Sequence, residues 1–148
     1  MTLSEELSLI HSLFIDTAPV IYYIEAHPQF GPLAKTVVDA FQSGNLNAYS
    51  SVITLTEVLP KPTERGDERL AKRFAEFLKH GRNLIMIEIS ERIAETAGKL
   101  RGRYPFLKTV DAMQLAAALD LGTEAFLTND GRLGKFKDLR VLVLKDYS

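Results

Sequence analysis

The sequence predicts an α/β fold, a three-layer α/β/α sandwich around a mainly parallel central sheet, formed by one domain over residues 1–148. Two observations predict it. Short apolar runs alternate along the chain with segments whose apolar residues recur at helical spacing. The composition, 46% hydrophobic and 25% charged, is typical of a globular chain that buries a single core.

The first part of the chain predicts one strand and two helices. An apolar run at residues 12–15 predicts a strand that ends at Asp16. Because Pro19 is well tolerated in the first turn of a helix, residues 20–25 are expected to be helical after a sharp turn. Residues 33–42 carry apolar side chains three and four positions apart, which predicts a second helix.

The middle of the chain is less regular. Residues 47–52 are weakly strand-like, and residues 54–59 predict a short helix that Pro60 and Pro62 end. Residues 67–79 repeat apolar side chains at three and four positions and predict an amphipathic helix with a basic outer face.

The last part of the chain alternates strands and helices again. The isoleucine-rich residues 83–89 predict a strand, and Ser90 can cap a helix that runs through Arg101. Residues 110–121 are almost wholly apolar and predict a buried helix that Gly122 ends. Two further apolar runs, at residues 124–128 and 139–144, complete the predicted strands.

Charge and cysteine content exclude several classes of function. With 18 basic and 19 acidic residues the net charge is -1, so any nucleic-acid binding must come from a local patch. The chain has no cysteine, which excludes disulfides and thiolate metal sites and leaves oxygen ligands as the main option. Because no secretory signal and no apolar stretch of about 18 residues is present, we expect a soluble, cytoplasmic protein without a membrane partner.

Four acidic residues stand where a parallel sheet binds ligands. Asp16 and Asp130 each follow an apolar run, so both are expected at the carboxyl edge of the sheet. Glu57 and Asp111 are predicted in or near the first turns of helices that begin at the same edge. We therefore expect these four carboxylates to converge.

Converging carboxylates call for a cation. Two of them about 4 Å apart repel by roughly 4 kcal/mol at an effective dielectric near 20, and a divalent ion removes that repulsion. Oxygen ligands favour Mg²⁺ or Mn²⁺. Such an ion supports phosphodiester hydrolysis by activating a water and neutralising charge on the phosphate. Water is the expected nucleophile, since no arrangement of serine, cysteine and histidine competes.

Each acid also has a purely structural explanation. Asp16 and Asp130 could be turn residues, the latter in an Asp-Gly turn. Glu57 could form a capping box with Thr54, and Asp111 could complement a helix dipole. Only their joint placement at one sheet edge favours a site.

Four segments carry a resemblance to a known family. They are Phe14–Ala18, Ser51–Leu59, Thr109–Ala117 and Leu127–Asp130. In this order they extend over nearly the whole chain, which resembles PIN-domain proteins and particularly the VapC-type toxin ribonucleases of toxin–antitoxin pairs. The stretch before the first acid is longer than in compact members of the family, and we expect it to form an extra turn.

The resemblance implies an acidic Mg²⁺ or Mn²⁺ centre that cleaves RNA and leaves a 5′-phosphate. The implied catalytic and metal-binding set is Asp16, Glu57, Asp111 and Asp130, with Asp16 and Asp111 the strongest candidates for direct ligands. Thr17 and Thr128 match small hydroxyl residues near the site, and Asn129 is expected to help orient a ligand water. The resemblance further implies a homodimer and an antitoxin peptide in the acidic groove.

Basic residues supply candidate RNA contacts. We take Arg101, Arg103 and Lys108 as the candidates, because this group lies just before Asp111. For any single one of them a solvated surface position is the favoured explanation.

The sequence thus favours a metal-dependent endoribonuclease, most simply the toxin of a toxin–antitoxin pair. Two alternatives stay open on the same fold: a stand-alone RNA-processing nuclease, and a non-catalytic module that binds RNA or protein. A phosphoacceptor receiver domain using Asp16 is disfavoured, because the neighbouring acid pair that it needs near the N-terminus is absent.

Overall fold

A computed structural model describes all 148 residues, and its centre is a five-stranded sheet. The strands are β1 (Ser12–Ile15), β2 (Asn47–Ser51), β3 (Leu84–Ile87), β4 (Ala125–Thr128) and β5 (Arg140–Val143). Their order across the sheet is β3-β2-β1-β4-β5, and every neighbouring pair is parallel. The chain therefore starts in the middle of the sheet and builds outward to both sides.

Helices cover both faces of this sheet. They are α1 (Leu3–Ser8), α2 (Thr17–Ile24), α3 (Gly31–Gln42), α4 (Val52–Val58), α5 (Pro60–Glu64), α6 (Glu68–His80), α7 (Glu91–Arg103) and α8 (Thr109–Leu121). Short 3-10 turns follow the last two strands, at Gly131–Lys135 and Leu144–Tyr147. No helix combines the length and the apolar character needed to span a membrane.

Two hydrophobic clusters lie on opposite faces of the sheet. Leu13 and Leu127 point to one face, where they pack with residues of α1, α2, α3 and α6. Phe14 and Phe126 point to the other face and join the cluster of α7 and α8, with their rings stacked at a centroid distance of 5.6 Å. Because successive residues of the central strands β1 and β4 are buried on opposite faces, these two strands appear in the sequence as nearly continuous apolar runs. The three-layer α/β/α fold is confirmed.

One structural alternative was wrong, and two local predictions gain detail from the structure. The stretch before the first acid forms a helix, α1, which a capping box between Thr2 and Glu5 begins. Helix α4 begins at Val52 with Ser51 as its cap, so the predicted capping box of Thr54 and Glu57 does not exist. Helix α4 does end before the prolines, at Val58, but a further short helix, α5, begins at Pro60, because the first turn of a helix needs no intrahelical bond from that N–H.

The strand order sets the position of the site. β1 and β4 are neighbours, with Ile15 opposite Leu127, so the residues after both strands lie at one edge. The N–H of Asp16 donates to the carbonyl of Leu127 across this pair at 2.9 Å, which continues the ladder by one residue. Helices α2 and α4 begin directly after β1 and β2, and α8 begins beside them.

Candidate active site

All four predicted acids line one open cleft of about 460 Å³ at the carboxyl edge of the sheet. Asp16 follows β1 and Asp130 follows β4, while Glu57 lies on α4 and Asp111 in the first turn of α8. Four elements that are distant in sequence each contribute one carboxylate. Glu57 lies two residues further along its helix than the sequence predicted, because α4 begins at Val52 and not at Thr54.

Asp16 is the most buried of the four acids, with 9% of its surface exposed. One carboxylate oxygen accepts a hydrogen bond from the backbone N–H of Thr17 at 2.8 Å, and the other accepts one from the hydroxyl of Thr128 at 2.8 Å. Burial is the main reason that the pKa of Asp16 is raised to about 6; the two hydrogen bonds oppose this shift, and the charges of Asp111 and Glu57 add to it. The charged form of Asp16 is therefore held at a free-energy cost.

Asp111 feels the same crowding of negative charge. Burial raises its pKa, and the carboxylates of Asp130 and Glu57 add to that shift. The charges of Arg132 and Lys108 oppose it. Two acids of one cleft thus bind protons more tightly than usual, mainly because both are buried and secondarily because other carboxylates lie nearby.

Glu57 and Asp130 have protein partners. The hydroxyl of Thr17 donates to Oε1 of Glu57 at 2.5 Å. The guanidinium and the backbone N–H of Arg132 both donate to Asp130, and the guanidinium bond is the main reason that the pKa of Asp130 is lowered. Asp130 also caps the 3-10 turn that follows it, which is the structural role expected of an Asp-Gly turn.

The oxygen donors of the cleft are those that a hard divalent cation prefers, but their carboxylates are not grouped around one point. In the described arrangement no three acidic or histidine side chains are close enough together to hold one ion. Hydrogen bonds from Thr17, Thr128 and Arg132 instead hold oxygens of the carboxylates. The shared cleft, the all-oxygen donors and the raised pKa values of Asp16 and Asp111 fit Mg²⁺ or Mn²⁺ once Asp130 exchanges its guanidinium partner.

The predicted supporting residues have defined contacts. Thr17 and Thr128 bond to Glu57 and Asp16 as described above. The side chain of Asn129 donates to the hydroxyl of Tyr22 at 3.2 Å and accepts from the backbone N–H of Lys145 at 2.8 Å. Asn129 therefore joins the strand that carries Asp130 to the turn after β5.

The predicted RNA contacts divide into two groups. Lys108 is exposed and caps α8, and its charge lowers the pKa of both Asp111 and Asp130. Arg101 and Arg103 are exposed at the end of α7 and do not line the cleft. Of the three predicted RNA contacts, only Lys108 therefore shifts the pKa values of the acids in the cleft.

The sequence analysis missed Lys145, a cation that lines the cleft. Its ammonium lies beside Gly131, where a Cβ would come within 2.9 Å of Nζ, and it forms no ion pair within 4.0 Å. Lys145 follows β5 much as Asp130 follows β4. The strand-end signal that revealed the acids could have found it.

Known proteins share the sequence pattern and the fold of this chain. The family model described as PIN domain matches residues 13–139. A search of curated proteins found no match. The fold is similar to that of VapBC2 from Rickettsia felis, solved bound to a DNA fragment from their promoter, with a TM-score of 0.72, 17% identity and coverage of 89% of this chain and 98% of that one.

Two other solved structures are similar over comparable lengths. A toxin–antitoxin complex from Klebsiella pneumoniae has a TM-score of 0.66 and 25% identity, and the match covers 89% of this chain and 97% of that chain. VapC20 of Mycobacterium tuberculosis, a toxin that cleaves the sarcin-ricin loop, has a TM-score of 0.67 and 19% identity, with coverage of 86% and 98%.

Proposed function

The chain belongs to the PIN-domain family, and from this premise we propose that it is a Mg²⁺- or Mn²⁺-dependent endoribonuclease, the toxin of a toxin–antitoxin pair. One observation carries the proposal: carboxylates from four separate elements line a single cleft at the sheet edge. The similarity to solved toxin structures supports the toxin assignment.

Asp16 and Asp111 are the proposed direct ligands, because both line the cleft without an arginine or lysine paired to their carboxylates, and burial raises the pKa of each. Glu57 and Asp130 complete the set, directly or through water. When bound, the ion supplies a water of lowered pKa and neutralises charge on the phosphate. Thr17 and Thr128 hold the carboxylate of Asp16 in one orientation, so its position needs little adjustment.

We propose that two lysines near the acids contact the RNA. Lys108 and Lys145 flank the acids, and either ammonium can contact a phosphate oxygen of a single-stranded or structured RNA. They also offset the net negative charge that would otherwise repel the backbone. Arg101 and Arg103 stay candidates for more distant contacts only.

The similarity to solved toxin–antitoxin complexes supports the proposal of an antitoxin partner. The Klebsiella pneumoniae structure is a toxin–antitoxin complex, and we propose that this chain is held by a cognate antitoxin whose peptide lies in the acidic cleft. A basic side chain of that peptide would pair with the carboxylates that the metal otherwise requires. We also propose a homodimer, which the family resemblance supports, and light scattering of the purified chain tests it.

One observation favours a different function. The pairing of Asp130 with Arg132, and the absence of three closely grouped acids, suit a module that binds RNA or protein without cleaving it. Assay of the purified chain on labelled RNA separates the two functions. The nuclease predicts cleavage with Mg²⁺ or Mn²⁺, products with a 5′-phosphate, and no cleavage in EDTA.

Variants sharpen that assay. Asp16→Asn and Asp111→Asn are expected to abolish cleavage while leaving the circular dichroism spectrum unchanged. Asp39→Asn is the matched control, because Asp39 is an exposed acid that pairs with Lys35 on α3, outside the cleft. Cleavage that survives EDTA, or that survives both cleft substitutions, would reject the metal nuclease. Genomic neighbourhood then separates toxin from stand-alone nuclease, since a toxin gene adjoins a small antitoxin gene.

A further inference from the structure

A row of hydrogen bonds connects the buried core to Glu57. Its members, named here the Gln114 network, are Ser51, Gln114, Thr54, Thr17 and Glu57. We propose that Gln114 and Thr54 are positioning residues for the cleft: through Thr17 they hold one oxygen of Glu57 and leave the other free for a bound cation. This inference rests on the proposed metal site.

The contacts are short and continuous. The hydroxyl of Ser51 donates to Oε1 of Gln114 at 2.6 Å, and Nε2 of Gln114 donates to the hydroxyl of Thr54 at 2.8 Å. The hydroxyls of Thr54 and Thr17 are 3.1 Å apart, and that of Thr17 lies 2.5 Å from Oε1 of Glu57.

The direction of every bond follows from the number of protons. An ionised carboxylate only accepts, so the single hydroxyl proton of Thr17 lies on the bond to Glu57. Thr17 must then accept from Thr54, whose own proton is used in that bond. Thr54 must in turn accept, and only the amide NH₂ of Gln114 can donate to it, which leaves the amide oxygen facing Ser51. The Gln114 network therefore has a single orientation that ends on Glu57.

The network lies beneath the cleft and joins its walls. Ser51, Thr54 and Gln114 are fully buried, at 0% exposure each, whereas Glu57 is exposed. Thr54 and Glu57 lie three residues apart on α4, with Ser51 three residues earlier at the cap, and Gln114 lies three residues after Asp111 on α8, so each row follows one helix face. A buried amide is stable only when hydrogen-bonded, and here both of its ends are bonded.

The amide of Gln114 serves two buried hydroxyls. An apolar side chain of similar size would fit beside Leu115 and the buried alanines of α8, but it would leave the hydroxyl of Ser51 without its acceptor and that of Thr54 without its donor. An apolar side chain also could not donate to the hydroxyl of Thr54, and so could not direct the proton of that hydroxyl toward Thr17. Partners of this indirect kind typically change metal affinity or activity by about 10- to 100-fold when they are removed.

The test compares three variants of the full chain. Thr54→Val keeps the shape of the side chain but removes the hydroxyl, and Thr54→Ser restores the hydroxyl. Thr123→Val is the matched control, because Thr123 is also a buried threonine but bonds to the carbonyl of Ala118 at the other end of α8. Gln114→Met, which removes the amide, is added if it folds.

Three readouts are measured: Mn²⁺ affinity by electron paramagnetic resonance of the free ion, thermal melting, and kcat and KM for RNA cleavage. Thr54→Val is expected to weaken Mn²⁺ binding at least about tenfold and to lower kcat with KM unchanged. Thr54→Ser should stay close to wild type. Thr123→Val should lower the melting temperature without changing Mn²⁺ affinity.

Equal Mn²⁺ affinities for Thr54→Val and wild type would overturn the inference, as would an equal loss in Thr123→Val. A wild-type chain that binds Mn²⁺, loses affinity in Thr54→Val and yet cleaves no RNA would reject the proposed nuclease but retain the positioning role. A wild-type chain that binds no Mn²⁺ would overturn both.

Discussion

The guanidinium of Arg132 covers both carboxylate oxygens of Asp130, with Nε 3.0 Å from Oδ1 and Nη2 2.5 Å from Oδ2. Two residues apart in sequence, the pair is made possible by the 3-10 turn that Asp130 caps. The pair lowers the pKa of Asp130 and raises that of Arg132. While it holds, Asp130 has little capacity left for a cation, so Arg132 competes with any metal for one of the four acids.

Arg132→Ala is therefore expected to strengthen Mn²⁺ binding several-fold. The substitution frees Asp130, and it removes a positive charge that also lowers the pKa of Asp111. Mn²⁺ titration of the purified variant checks this. Arg92→Ala is a suitable control, because Arg92 pairs with Asp120 at the far end of α8. Weaker Mn²⁺ binding in Arg132→Ala would mean that Arg132 helps to build the site and does not compete with it.

Asp16→Asn is expected to stabilise the metal-free protein at neutral pH. The folded pKa of Asp16, about 6, lies above its ordinary value of 3.8, so the folded state binds more protons than the unfolded state between these values. Wild-type stability therefore falls as pH rises through this window and levels off above it. This pKa shift corresponds to about 3 kcal/mol of unfolding free energy, which the wild-type protein loses as pH rises and the Asp16→Asn variant should not lose.

Urea unfolding of both proteins in EDTA, at several pH values from about 4 to 8, measures this effect. The difference between their free energies of unfolding should grow with pH and become constant above the folded pKa. Asp39→Asn serves again as the control, since Asp39 is exposed. If the difference in unfolding free energy between the two proteins does not change with pH, then ionised Asp16 does not destabilise the folded state.

Mn²⁺ is expected to raise the melting temperature of the wild-type chain. An ion that binds only the folded state stabilises it by about 2.7 kcal/mol at a hundred times its dissociation constant. Asp16→Asn and Asp111→Asn should abolish this increase, because each removes a proposed ligand. Differential scanning calorimetry at increasing Mn²⁺ concentration measures it, and an increase that persists in both variants would place the ion elsewhere.

Lys145→Ala is expected to raise KM for RNA more than it lowers kcat. Its ammonium lines the cleft without an acidic partner, which suits contact with a phosphate. Losing one such contact should reduce the slope of log binding constant against log salt by about 0.7 for a single strand. Binding is measured by fluorescence anisotropy in an Asp16→Asn background, so that the RNA stays intact. Lys35→Ala, which removes a cation of α3, should leave the slope unchanged.

The sequence was sufficient to predict the fold and to bring four acids to one edge. Both predictions depend on short-range patterns: continuous apolar runs mark strands buried on two faces, and an acid directly after such a run lies at the carboxyl edge. This rule alone predicts that Asp16 and Asp130 lie at the carboxyl edge. That the two residues are close together depends in addition on the pairing of β1 with β4, which the structure shows.

The rest depended on contacts that no local pattern contains. The pairing of Ser51 with Gln114 joins residues 63 positions apart, so the polar residue within an apolar helix could be seen but its partner could not. The cap at Ser51 was missed because Thr54 and Glu57 match the spacing of a capping box, while the buried position of Thr54 is a tertiary effect. Arg132 lies beside Asp130 in sequence, yet only the turn geometry aims its guanidinium at the carboxylate.

The hydrogen bond from Thr128 to Asp16 spans 112 positions, and β1 lies between strands that are both made after it. A nascent polypeptide that has left the ribosome only as far as α8 holds three of the four acids but lacks the strand that orients Asp16. Such an intermediate cannot yet possess the complete cleft. The complete cleft therefore forms only after β4 and Asp130 have been translated and β4 has inserted beside β1, when most of the chain has already been synthesised.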